Sequence, residues 1–238
     1  MSLTYSQYVS AVSELAVVPS NDPDFVAILP NAIDYAEQRI YRELDLLNTV
    51  VRDWSSSLVA SNRNFTLPNS SGTFVAVNGM NVITPAGTAP DAGTRNLLVP
   101  TSLDFLNMAW PNSSGSTVPQ YFAMVTQTTA VVGPSPDAAY TVEVIGTQRP
   151  TPLSAANTST FLSNNWPDLM IATSMVFISG YLKNFGSQAD NPQMAQSWET
   201  QTEKLMASAL AEEIRKKQAG SGWTSQSTGG PPSTPPRN

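Results

Sequence analysis

The chain has 238 residues, only 13% of them charged, and carries a net charge of −6 from 12 Lys+Arg against 18 Asp+Glu, so no basic stripe is available to neutralise a run of phosphates and tight nucleic-acid binding is excluded. It has no cysteine and no histidine, which removes disulfides, thiolate nucleophiles, Cys/His zinc sites and the commonest general base together. With about half the usual share of charge, the surface is neutral-polar, of a kind suited to being covered by neighbours.

The N-terminal stretch Met1 to Leu15 lacks a basic leader and an apolar core of the signal-peptide type, so the expected place of action is the cytosol or something assembled there. A first helix opens on a capping box, Thr4 with Gln7 three residues on. Tyr5, Tyr8, Val9, Val12 and Leu15 then form one amphipathic face that Pro19 and Pro23 interrupt. Asn31, after Pro30, is placed to cap a second helix running to about Leu47, with the stripe Ile33, Ala36, Ile40, Leu44 and Leu47. Its outer face is expected to hold Asp34, Glu37, Arg39, Arg42 and Glu43, with Arg39 and Glu43 one turn apart.

Between Thr49 and Arg149 the period changes from 3.6 to 2. Arg63 to Leu67 alternates, Thr73 to Thr84 reads as two strands joined by a hairpin turn at Asn78-Gly79, and Asn96 to Val99 follows. Thr101 to Trp110 is a short helix with Leu103, Leu106 and Met108 apolar. Strands resume at Gln120 to Thr126, Thr129 to Val132 and Tyr140 to Gly146, the last two joined by the turn Gly133 to Asp137. Short strands with frequent turns predict a small antiparallel sandwich or barrel.

Trp166 to Gly186 is of helix length and apolar on nearly every face, from Leu169, Met170 and Ile171 to Phe177 and Ile178, so it must be surrounded by other elements. Its apolar run is too short and too diluted by Thr173, Ser174, Ser179 and Gly180 to span a bilayer. Asn165 is placed to cap it with Pro167 just inside, and Lys183 and Gly186 mark its end. Asn191 and Pro192 then open a last helix to about Lys217, with Met194, Trp198, Leu205, Met206, Ala209, Leu210 and Ile214 as its buried stripe. Glu212 and Glu213 stand four residues before Lys216 and Lys217. Beyond it, Ala219 to Asn238 is Gly, Ser, Thr and Pro with one aromatic, too poor in apolar groups to offset its own ordering entropy.

The expected fold is α+β: a four-helix bundle formed from both ends of the chain (1–48 and 150–217), an inserted β domain (49–149) and an extended, flexible C-terminal arm (218–238). Candidate chemistry is sparse. Asp91-Ala-Gly-Thr94 has no second copy to make an acid pair. Asp104, Asp137 and Glu143 are the acids from which a glycosidase pair would be drawn, and their default place is an exposed turn or strand face. Asp34, Glu37 and Asp45 are placed on helix two beside arginines. No catalytic, cofactor or metal site is expected. Trp223 stands alone as an aromatic in the tail, where it can anchor to a partner.

Val131-Val-Gly-Pro-Ser-Pro136 followed by Tyr140 to Ile145, then Arg149-Pro-Thr-Pro-Leu153, Thr160-Phe-Leu-Ser163 and Trp166-Pro-Asp-Leu169, carry a likeness over nearly the whole chain. In these residues and in its order of parts, the chain resembles the head-to-tail adaptor proteins of short-tailed bacteriophages. The resemblance implies a structural virion protein, a self-assembled ring usually of twelve beneath the portal protein. It also implies a tail tube or nozzle protein docked below, DNA passing through the lumen without specific binding, and a C-terminal segment embracing the portal. Trp223, Pro231, Pro232, Pro235, Pro236 and Arg237 are then the arm's candidate portal-binding residues. From another class, the runner-up is a carbohydrate-binding or carbohydrate-active virion protein with its site in the β insert.

Overall fold

The computed structural model describes residues 2–112, 114–181 and 192–218. The chain is mixed α+β and divides into two compact units, one from the described residues of Met1–Leu47 and Pro152–Asn238, the other from Asn48–Thr151.

In the first unit α1 (Tyr5–Ala16) begins on the predicted box: the Gln7 N–H donates to Thr4 Oγ1 and the Gln7 side chain accepts from the Thr4 N–H. α2 (Pro23–Glu43) differs from expectation at its start, since Asp22 rather than Asn31 is the cap and Pro30 lies inside the helix. The Asp22 carboxylate accepts from the N–H groups of Asp24 and Phe25 at 3.0 Å, and Pro23 sits in the first turn where its missing N–H costs nothing. Pro30 removes one helical hydrogen bond, but on an exposed face, while Phe25 and Leu29 on the opposite side are buried and hold the early turns in place. The helix stops at Glu43, so Asp45 and Leu47 lie beyond it.

α4 (Phe161–Asn165) is capped reciprocally by Thr160 and Ser163, which leaves Asn165 closing this short helix rather than opening the next. α5 (Pro167–Tyr181) is the centre of the unit and packs against α1, α2, α4 and α6 (Pro192–Gln218). Leu169, Met170, Met175 and Ile178 are buried, and Phe177 stacks at 5.3 Å on Tyr35 of α2. Its buried hydroxyls are satisfied locally, Thr173 donating to the Leu169 carbonyl at 2.8 Å and Ser174 to that of Met170 at 2.9 Å. The Lys183, Gly186 and Asn191 end signals lie outside the described residues.

On α6 the buried stripe is Thr202, Met206, Ala209 and Glu213, with Trp198 and Leu205 partly buried, whereas Leu210 and Ile214 face outward. Arg39 of α2 holds Glu199 of α6 in a two-pronged pair and Glu43 at 2.9 Å, the latter pair as predicted.

In the second unit seven strands form one curled sheet: β1 (Val50–Ser57), β2 (Asn64–Thr66), β3 (Gly72–Thr84), β4 (Thr94–Pro100), β5 (Tyr121–Met124), β6 (Thr129–Gly133) and β7 (Thr141–Pro150), ordered β1-β7-β3-β4-β5-β6-β2. All pairs are antiparallel except β4 with β5, which is parallel, so the insert is not purely antiparallel. The hairpin predicted at Asn78-Gly79 is absent: β3 runs straight through it, and the register along β7 slips between Val77 and Gly79 instead. Asn-Gly suits a bulge as well as a turn, and the long partner β7 supplies hydrogen bonds to both halves of β3.

The inner face of the sheet closes over Phe65, Phe74, Met80, Leu98, Val132 and Val144. α3 (Leu103–Ala109), capped by Ser102, lies against β5 and β6, with only Leu106 buried. Gly133 makes that contact possible, because a Cβ there would stand 2.8 Å from both the Leu106 and Trp110 side chains.

Candidate functional site

The structure distributes the sequence-predicted acids instead of gathering them. Asp104 is exposed in the first turn of α3. Asp137 is exposed after β6 and accepts from the Tyr140 hydroxyl at 2.7 Å. Asp91 is solvated and pairs with Arg95 at 3.0 Å. Glu143 departs from its expected exposure: it is 1% exposed, in the middle of β7. Cross-strand neighbours enclose it, Asn81 of β3 donating at 2.8 Å, Arg95 of β4 pairing at 3.1 Å and Arg52 of β1 at 3.2 Å. Burial pushes its carboxyl up, but the hydrogen bonds from Asn81 and Arg95 and the charges of Arg52 and Arg95 outweigh this and hold it below the usual carboxylate range. The carboxylate is thus held as the centre of an ion-paired, hydrogen-bonded cluster within the sheet. Among the described residues no three His, Cys, Asp or Glu side chains form a metal-holding group.

Glu37 is the second correction. The i, i+4, i+7 row that starts at Ile33 includes it, so it lies in the buried stripe, 3% exposed, and accepts from the Leu153 N–H at 3.1 Å. Burial lifts its carboxyl to about 7, with the backbone bond from Leu153 working against the rise and the charge of Asp34 adding to it. It joins α2 to the segment that re-enters the helical unit at Pro152.

What the second unit does present is exposed apolar surface. Around Glu143 the same sheet face carries Trp54 of β1, 50% exposed, and Leu97 and Val99 of β4, of which Leu97 is 66% exposed. Val99 lies opposite Tyr121 in the parallel pair. Tyr121, Phe105 and Trp110 contact one another at centroid distances of 5.7–6.2 Å. These contacts make an apolar ridge from Leu97 to α3, with Met108, 78% exposed, on the same helix. At the β1 edge a groove of about 300 Å3 is lined by both an acid and a base, Asp53 and Arg52, with Trp54, Ser70, Ser71 and Gln148 among the rest. The sequence reading picked out neither Arg52 nor Trp54 nor the aromatic trio. Leu103, Leu106 and Met108 cannot share one face of so short a helix, and that spread was the available sign that part of α3 faces out.

The last turn of α6 is tied down. Lys216 pairs with Glu212 at 2.6 Å and Glu213 at 2.8 Å and lies 5.3 Å from the Trp166 ring. Glu213 accepts from the Leu47 N–H at 2.9 Å, and Trp166 Nε1 donates to Glu212 at 3.1 Å. Lys217 pairs with Asp45 rather than with Glu213 as spacing suggested. The root of the C-terminal segment is thus fixed to the helical unit. The sequence-predicted partner-binding residues Trp223, Pro231, Pro232, Pro235, Pro236 and Arg237 lie outside the described residues. No helix among the described residues is long and apolar enough to cross a membrane.

Curated proteins give no match to this chain. A family model described as SU10 adaptor protein matches residues 3–229, nearly its whole length.

Proposed function

The chain belongs to the SU10 adaptor protein family, a family of phage structural adaptors, and from that premise we propose that it is a non-enzymatic ring subunit joining the capsid portal to the tail of a short-tailed phage. The match along residues 3–229 is the observation that carries the reading. In it, copies of the chain, twelve as the resemblance implies, form a ring that prolongs the DNA channel. The portal sits on one side of that ring and a tail tube or nozzle protein on the other. The net charge of −6 suits a lumen through which DNA slides without being held. The division of labour follows the domains: the helical bundle, 1–48 with 150–217, as the body, the β insert, 49–149, as the assembly surface, and 218–238 as the portal arm.

Ordering an arm costs roughly 1–2 kcal/mol per fixed backbone residue, and stiff or strongly binding groups must offset it. Pro231, Pro232, Pro235 and Pro236 are stiff beforehand, Trp223 offers apolar area and Arg237 a charge. The clamped last turn of α6 supports this role, since an arm transmits attachment only from a fixed root. Many arms on one ring multiply a modest loss per arm, so attachment should fail sharply when the arm is damaged.

The test mixes the protein with the portal of the same phage and weighs the product. The full chain should give a joined ring, and deletion of 219–238 should leave the folded protein intact while abolishing the joint. A full chain that leaves the portal's mass unchanged would overturn the reading.

A further inference from the structure

Glu37 of α2 carries more than the bond that anchors Leu153. Its carboxylate accepts from the Leu153 N–H at 3.1 Å and also from the side chain of Thr160, the cap of α4, so both ends of the segment 153–160 hang on one buried group. Between those ends the segment is irregular and thin. Ser154 and Asn157 bond to each other, the Asn157 side chain donates to the Pro152 carbonyl, and Ala155, Ala156, Thr158 and Ser159 are exposed. The buried Leu153 side chain and the Thr158 carbonyl, which accepts from the Tyr5 N–H at 2.9 Å, also tie it to the unit.

The groups that face Glu37 supply no balancing charge. α1 brings the Tyr8 hydroxyl, which shares a hydrogen bond with Ser174 of α5. α2 itself brings Tyr41, whose hydroxyl is buried without a partner, and the like charge of Asp34. α4 has no titratable side chain, and the one carboxylate of α5, Asp168, is exposed in its first turn. Where α6 meets α2, Glu199 is already held by Arg39. Among the described residues no lysine or arginine pairs with Glu37. An ion in that place must recover from water what the interior withholds. The helices around it admit water only by giving up their own hydrogen bonds and packing, whereas the irregular segment can lift. We infer that residues 153–160 form a latch, closed over Glu37 while its carboxyl is protonated and released, with the helices intact, when it loses the proton to solvent. Burial raises that carboxyl to about 7, against 4.5 unperturbed, so the closed form holds the proton more tightly than the open one. The latch is therefore tightest below pH 4.5 and loosens as pH rises to 7, above which both forms are ionised and the balance is constant.

Hydrogen–deuterium exchange on the full chain from pH 4 to pH 8, corrected for the intrinsic pH dependence of amide exchange, tests the latch. Protection of the Leu153 amide should fall by roughly two orders of magnitude over that range, while the amides of α5 keep theirs. In Glu37→Gln, which keeps an acceptor without the charge, protection of Leu153 should not change with pH. Protection that is flat with pH in the native chain would overturn the inference, whether or not the variant folds. The same fall in Glu37→Gln would overturn it as well, by assigning the pH dependence to another group. A parallel loss of protection along α5 would also overturn it, since the whole unit would then open rather than the segment.

Discussion

Glu37 in the helical unit and Glu143 in the β unit are almost equally withdrawn from water, at 3% and 1% exposure, yet their carboxyls move in opposite directions. Glu143 meets Asn81 and Arg52 from the two strands beside β7 and Arg95 from the next one over, because a pleated sheet brings side chains from each strand to one face at short range. Glu37 meets the Leu153 N–H and the Thr160 side chain and, among the described residues, pairs with no cation, while Asp34 adds a like charge. A buried carboxylate is tolerated as an ion only when its surroundings replace what water supplied. The β unit does that and the helical unit does so only in part, so the first holds a buried, paired charge and the second a titratable group.

The comparison is broken most severely by a carboxylate with no partner at all. Ile178→Asp in α5, where the side chain is 1% exposed among apolar neighbours, should cost several kcal/mol, comparable with the whole stability of a domain, and prevent folding. A soluble variant with a normal melting curve would show that α5 is not the centre of the unit. Next in size is Glu37→Gln. The Glu37 carboxyl at about 7, against 4.5 unperturbed, means the folded state binds the proton more tightly. The stability it contributes is therefore complete below pH 4.5 and lost as pH rises through 7. Gln keeps an acceptor for Leu153 without the charge, so urea titration should show a gain of roughly 3 kcal/mol at pH 8 and none at pH 4. Equal stability of the two proteins at pH 8 would mean that the interior already compensates the ion.

Glu143 has the opposite sign. Its lowered carboxyl gives stability that is present above pH 4.5 and lost as pH falls through the folded value. Asn81→Ala, which removes a hydrogen bond to a charged, buried group, should cost about 2 kcal/mol at pH 7 and less in acid. A cost that does not shrink in acid would assign Asn81 to packing instead. The smallest effect belongs to Asp91→Asn: the carboxylate is solvated and its pair with Arg95 is a surface pair, so thermal melting should not change.

The sequence exposed those features that depend on neighbours a few residues away. The Thr4 box, the Arg39–Glu43 pair, α3, and the all-round apolar character of α5 are local, and the structure has each of them. Errors arose where a distant partner decides. Asn78-Gly79 is a turn by local chemistry and a bulge once β7 pairs on both sides of it. Pro30 reads as standing just before a helix capped by Asn31 and sits within one that starts at Pro23, where Phe25 and Leu29 are buried. Glu143 looked like a strand-face acid because Arg52 and Asn81 stand 91 and 62 positions away in the chain, and spacing carries no sign of cross-strand enclosure. Met108 and Trp54 were invisible as surface for the same reason, since exposure is set by which elements fail to cover a residue.

The central claim, a structural adaptor between portal and tail, is tested most directly by imaging the vertex of the phage particle that encodes this chain. The account predicts a ring of density between portal and tail into which the helical and β units each fit. A vertex whose portal meets the tail directly, with this chain found on the capsid surface or at the tail tip, would contradict it.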